Sequence, residues 1–203
     1  MTDYEVVTMT VLNTNMKLDS PIFSICIANR KHNIYLEFAD NDPEYLKDDF
    51  VLKKIIPNLL LKDNEIKDRK ELKFLNKTIT AIKVNTESCK LEVYNFLYEL
   101  YRASNKKIKI FIYNASDWLY IINKIFSMDD NGNVIIPDFI EKDPFLIPDA
   151  IYLFNKDSTD NIIDLEKILS ESKKNINSDQ EDILYESIIN AFVLNEIIIK
   201  MNI

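Results

Sequence analysis

Asp117, in the segment YNASDW, has the side chain best suited to chemistry in this chain. Its carboxylate could ligate a hard cation. It could equally cap the helix that follows, since Ser116 precedes it and an apolar helical run comes after. His32 is the single histidine, in the polar turn RKHN, and no acid or nucleophile is spaced with it to form a triad. Asp40 and Asp42 in DNDP read as turn and cap chemistry rather than a metal pair. Trp118 and Tyr120 could stack on a base, but aromatics at helical spacing more often belong to a core. Lys62, Lys67, Arg69, Lys70, Lys73 and Lys77 alternate with Asp63, Glu65, Asp68 and Glu71, so they describe a solvated loop more readily than an RNA track. Lys106, Lys107 and Lys109, at the entrance to a strand, support either reading.

Composition narrows the classes. With one glycine, Gly132, the chain cannot build a P-loop or a dinucleotide-binding loop, which need several glycines so that backbone can approach phosphate. A formal charge of -8 opposes nonspecific attraction to a phosphate backbone. Cys26 and Cys89 lack CxxC spacing and read as buried thiols. The start, MTDYEVV, has no basic stretch followed by an apolar one, and no run approaches the ~18 apolar residues of a membrane span. The expectation is a reducing, cytoplasmic protein, and its 203 residues are expected to form one domain (1–203).

The elements that must position these side chains follow from periodicity. Residues 4–12 read as a first strand, 22–29 as a buried inner strand apolar on both faces, and 33–38 as its hairpin partner, giving a three-strand antiparallel meander. After the helix-entry signal at Pro43, apolar residues from Leu46 to Leu60 recur at helical spacing, with Pro57 interrupting. Residues 62–77 read as a long surface loop, and 78–84 as a short edge strand or an extended approach to the next helix. Residues 86–103 read as an amphipathic helix capped by Thr86 and Glu87, with Leu91, Val93, Tyr94, Leu97, Tyr98 and Tyr101 as its buried stripe. A strand at 106–113 and a helix at 117–126 follow. Residues 127–161 hold three of the six prolines and read as a surface excursion with a short strand at 151–154. A short helix at 162–169 and a long amphipathic one at 181–201 complete the chain.

This order fits an RNase H-like mixed sheet flanked by helices, and the chain resembles the 3'-5' exoribonucleases of the DEDDh class, especially the small bacterial and phage branch similar to the mycobacterial exoribonuclease. Four segments carry the likeness: TMTVLN with SPIFSICIA, YLEFADNDPEYLKDDFVLKKIIPNL, FIYNASDWLYIINKIF and YESIINAFVLNEI. The resemblance implies a two-metal nuclease, in which clustered carboxylates hold two magnesium or manganese ions and a histidine deprotonates the attacking water. Carried over, the D-x-E of the first strand falls on Met9 and Val11, the aspartate after the later strand on Asp117, and the histidine and last aspartate on Tyr185 and Asn190. Four of the five positions have therefore lost their chemistry. Glu186 adjoins the base position and Asn190 keeps a carbonyl oxygen.

Two functions follow as expectations. The first is a degenerate exoribonuclease, inactive and without a cofactor, acting by binding a protein partner or, weakly, single-stranded RNA. The second is a residual magnesium- or manganese-dependent exoribonuclease working through displaced carboxylates such as Asp117, Glu186 and Asp19. No membrane association is expected, and the sequence leaves homo-oligomerisation open.

Overall fold

The computed structural model describes residues 3–13, 21–39, 47–61, 63–74, 77–157, 162–174 and 183–201. They form a mixed α/β structure in which a seven-stranded sheet carries helices on both faces. The strands are β1 (Tyr4–Asn13), β2 (Ile22–Ala28), β3 (Asn33–Phe38), β4 (Arg69–Phe74), β5 (Lys77–Val84), β6 (Lys107–Ile112) and β9 (Phe145–Leu146), in the spatial order β4-β5-β3-β2-β1-β6-β9. A separate two-stranded hairpin joins β7 (Ser127–Met128) to β8 (Val134–Ile135). Its turn passes through Gly132 at φ 79°, the left-handed region in which glycine carries no Cβ penalty.

The meander expected at the start is present: β1 pairs antiparallel with β2, and β2 with β3. Both β6 and β5 then add in parallel, β6 beside β1 and β5 beside β3. β2 is buried along its whole length, as an inner strand apolar on both faces must be.

Helices α1 (Thr86–Ser104) and α2 (Ala115–Lys124) cover one face, sharing a core with Val7, Met9, Ile25, Leu36 and Ile110. Helices α3 (Ile147–Asp157), α4 (Leu165–Lys174) and α5 (Ile183–Met201) cover the other face, together with a π-helical turn at Val51–Ile55. The result is a helix–sheet–helix arrangement, with α4 packed on α5 rather than on the sheet itself.

Several expectations are corrected. Residues 62–77 contain β4, an edge strand whose alternation is hidden because its exposed positions are charged; charge is how natural edges resist pairing with other chains. β5 is consequently an interior strand, held by β3 and β4. Residues 151–154 are helical, inside α3, where Pro148 in the first turn is compatible with helix geometry.

The N-cap of α1 is Asn85. Its side chain accepts from the Ser88 N–H at 2.8 Å while the Ser88 hydroxyl accepts from the Asn85 N–H at 2.9 Å, a reciprocal capping box. The stripe that α1 buries is Cys89, Val93, Leu97 and Leu100, whereas Leu91, Tyr94 and Tyr98 are exposed. Among its described side chains, nearly all between Ile188 and Met201, α5 is buried on nearly every side rather than amphipathic, because it is sandwiched between the sheet and helices α3 and α4. The expected helix entry at Asp40–Pro43 lies outside the described residues.

Candidate functional site

β1 lies inside the sheet, between β2 and β6, and successive side chains along it face opposite layers. Val7, Met9 and Val11 face the core shared with α1 and α2, which includes Ile121 and Trp118 of α2. Thr8 and Thr10 therefore face the α5 layer. The Thr8 hydroxyl donates to the Ala191 carbonyl of α5 at 2.6 Å, with the Ala28 carbonyl farther off at 3.4 Å. A hydroxyl has one proton, so the shorter contact takes it and pins α5 to the centre of the sheet.

A polar seam continues from there. Asn195, fully buried, donates from Nδ2 to the Ala28 carbonyl at 3.1 Å. The Oδ1 atoms of Asn195 and of half-buried Asn190 are both buried and have no hydrogen-bond partner. Asn190 thus belongs to the α5 side of the sheet, with its neighbours Ile188, Ala191 and Phe192 in the core there. The side chains of Tyr185 and Glu186, one turn earlier on α5, lie outside those described, as does Asp19.

Asp117 occupies the first turn of α2, on the opposite side of the sheet from α5. Its N–H donates to the Asn114 carbonyl at 3.0 Å. Burial, leaving 4% of the residue exposed, pushes its carboxyl up to about 7, and the hydrogen bond from the Asn114 backbone works against that rise. The backbone contact fits the capping role. The cost of charging it does not, since an asparagine would accept the same bond without carrying a buried charge.

The five positions drawn from the exoribonuclease resemblance are accordingly divided. Met9 and Val11 lie in the same core as residues of α2, the helix that carries Asp117, while α5, carrying Tyr185 and Asn190, lies across the sheet. Sequence reasoning placed no function at Thr8 and Thr10, the two first-strand residues that share a layer with Asn190. A one-residue offset in the D-x-E alignment would have found them, and in a strand such an offset exchanges one face for the other.

Several of the remaining candidates make structural contacts. Trp118 packs edge-to-face on Phe126, with ring centroids 6.0 Å apart; the Tyr120 side chain lies outside those described. Lys109 places its ammonium over the rings of Phe145, Tyr4 and Phe111 at 3.6, 4.9 and 5.9 Å. Arg69 pairs with Glu92 at 2.6 Å, and Lys70 donates to Asn64 Oδ1 at 2.8 Å. Cys26 and Cys89 are free and buried.

Sequence reasoning also missed a buried ion pair on the α5 side of the sheet. Glu37, fully buried in β3, accepts from Lys83 Nζ at 2.8 Å, from the Tyr35 hydroxyl at 3.1 Å and from the Leu61 N–H at 3.0 Å. These donors satisfy the carboxylate and tie the loop after Val51–Ile55 to the sheet, which marks it as structural. The signal that could have found it was an acid and a lysine at the inward phase of two apolar strands.

Among the described residues, no three His, Cys, Asp or Glu side chains gather closely enough to hold a metal ion. One carboxylate, two threonines and an asparagine, divided between the two faces of a sheet, do not fit the two-ion centre that the resemblance implies. Among the same residues, no helix is long and apolar enough to cross a membrane. The chain matches no model of a known protein family and no characterised protein.

Proposed function

We propose that this protein has an RNase H-like fold of exoribonuclease descent, has lost the two-metal chemistry, and acts in the cytoplasm as a binding module for a protein partner. The fold reading is supported by the meander β3-β2-β1, by the parallel addition of β6 and β9 beyond β1, and by the placement of α1 and α2 opposite α5.

The observation that carries the functional reading is β1 itself. One of its faces presents Met9 and Val11 and the other Thr8 and Thr10, so neither register of the D-x-E motif supplies a carboxylate. A protein partner is favoured over RNA by the charge of -8 and by large apolar side chains exposed on α1 (Leu91, Tyr94) and α3 (Tyr152, Leu153). Calorimetric titration with manganese should give no tight two-ion binding, and 5'-labelled single-stranded RNA should keep its length in magnesium or manganese. Metal-dependent trimming that disappears in Asp117→Ala would sink the proposal.

One observation favours the alternative, a residual exoribonuclease. Asp117 is a buried carboxylate that titrates near neutral pH, a property over-represented at catalytic sites. The same RNA assay decides between the two readings.

A further inference from the structure

The seven-stranded sheet ends at β4, which has no strand on its far side among the described residues. β4 pairs antiparallel with β5 from Arg69↔Ile82 to Phe74↔Lys77, and just before it Lys83 donates its N–H to the Asp68 carbonyl at 3.0 Å. In an antiparallel ladder, residues bonded to the neighbouring strand alternate with residues whose N–H and C=O point away from it. Asp68 fixes the phase. Lys70, Leu72 and Phe74 bond to β5, and Arg69, Glu71 and Lys73 present their N–H and C=O outward. Arg69, Lys70, Glu71 and Lys73 are all exposed, so water reaches this edge along most of its length.

The side chains decide what can occupy that edge. β4 carries Arg69, Lys70 and Lys73 against Glu71, a basic strand on a chain of net charge -8. Arg69 is paired with Glu92, and Lys70 keeps its charge while donating to Asn64 Oδ1. Lys73 forms no ion pair among the described residues. A second copy of the chain is a poor occupant: the antiparallel register that pairs all 6 residues sets Lys70 opposite Lys73, and like charges directly opposite destabilise a sheet. An RNA phosphate could meet the lysines and the outward N–H groups, but it has no proton for the outward carbonyls. A peptide strand answers both kinds of backbone group.

We propose that β4 is the docking edge for an acidic, extended segment of a protein partner, which joins the sheet as an additional outer strand. This rests on the reading that the protein works by binding a protein partner, and it names that partner's chemistry. Backbone hydrogen bonds to Arg69, Glu71 and Lys73 supply attachment, and carboxylates facing Lys70 and Lys73 supply selection. The charges that keep copies of this chain apart are the ones that choose the partner.

The test is calorimetric titration of the full chain with the peptide acetyl-VEETVEET-amide, with acetyl-VKKTVKKT-amide as the matched cation. Saturable one-to-one binding of the acidic peptide is expected, with no saturation by the basic one, and amide hydrogen exchange at Arg69, Glu71 and Lys73 should slow when the acidic peptide binds. Glu71→Pro removes an outward N–H without touching the ladder to β5, and should abolish binding even though it also removes a repelling carboxylate. Lys70→Glu combined with Lys73→Glu should weaken binding about tenfold. Thermal unfolding checks that each variant is folded, and the exchange measurement on the unaltered chain needs no variant. No saturation at millimolar concentration, equal binding of the basic peptide, or unchanged exchange at the three amides would each overturn the proposal. A dimer of the chain that is lost in Glu71→Pro would give the edge to a second copy, and slowing of the same amides by single-stranded RNA would give it to nucleic acid; either overturns the proposal. RNA trimming in the assay above would sink the underlying reading, whereas peptide failure with RNA left intact sinks this edge alone.

Discussion

Replacing Asp117 by asparagine isolates the cost of the buried charge in α2. The carboxyl titrates at about 7 in the folded chain against an ordinary value of 3.8, an interval of about three pH units. At about 1.36 kcal/mol each, the folded state forgoes about 4 kcal/mol as an upper figure once the group is ionised. The sign follows from proton counting. Between pH 4 and 7 the folded state holds a proton that the unfolded state has released, so stability falls as pH rises through this window and levels off above it. The substituted asparagine cannot ionise, and its side-chain oxygen still accepts from the Asn114 backbone. Urea unfolding of the wild type and Asp117→Asn at pH 5 and pH 8 crosses about two of those pH units, so the stability difference should grow in favour of the variant by up to about 3 kcal/mol at the higher pH. Other titrating groups cancel in the comparison. A variant less stable by the same amount at both pH values would refute the reasoning, because Asp117 would then stabilise through its contacts rather than cost through its charge.

Three further outcomes test the architecture. Lys83→Met should lower stability by about 3–5 kcal/mol by stranding the buried Glu37 carboxylate, and adding Glu37→Leu should recover much of the loss in a urea double-mutant cycle. Asn85→Ala should cost about 1 kcal/mol through loss of the capping box on α1, read as a lowered thermal midpoint. Phe192→Ala, at the contact of α5 with the sheet, should cost about 3–5 kcal/mol by denaturant titration; a loss below about 1 kcal/mol would mean that α5 is not docked as described.

The sheet's first three strands, β6 and α1 were legible in the sequence because each carries an uninterrupted pattern of period two, period 3.6 or continuous apolarity. Buried cysteines and the absence of a glycine-rich phosphate loop were equally direct. What pattern could not reveal was decided by neighbours. β4 reads as a loop because an edge strand protects itself with charge, and it is a strand only because β5 lies beside it. In α1 two stripes are apolar enough to bury; the sheet takes Cys89, Val93, Leu97 and Leu100, and leaves Tyr94 and Tyr98 to stack on one another. The candidate site depends on the same kind of choice. In VVTMTVL both phases of the strand are compatible with burial, so periodicity cannot say which residues face α5. The sequence by itself determined that the first strand has no carboxylate from Thr8 to Val11, where the D-x-E motif would fall in either phase. Only the packing of α5 against one face and α2 against the other decided that Thr8 and Thr10 lie with Asn190, and that Met9 and Val11 lie in the core that α2 helps to build.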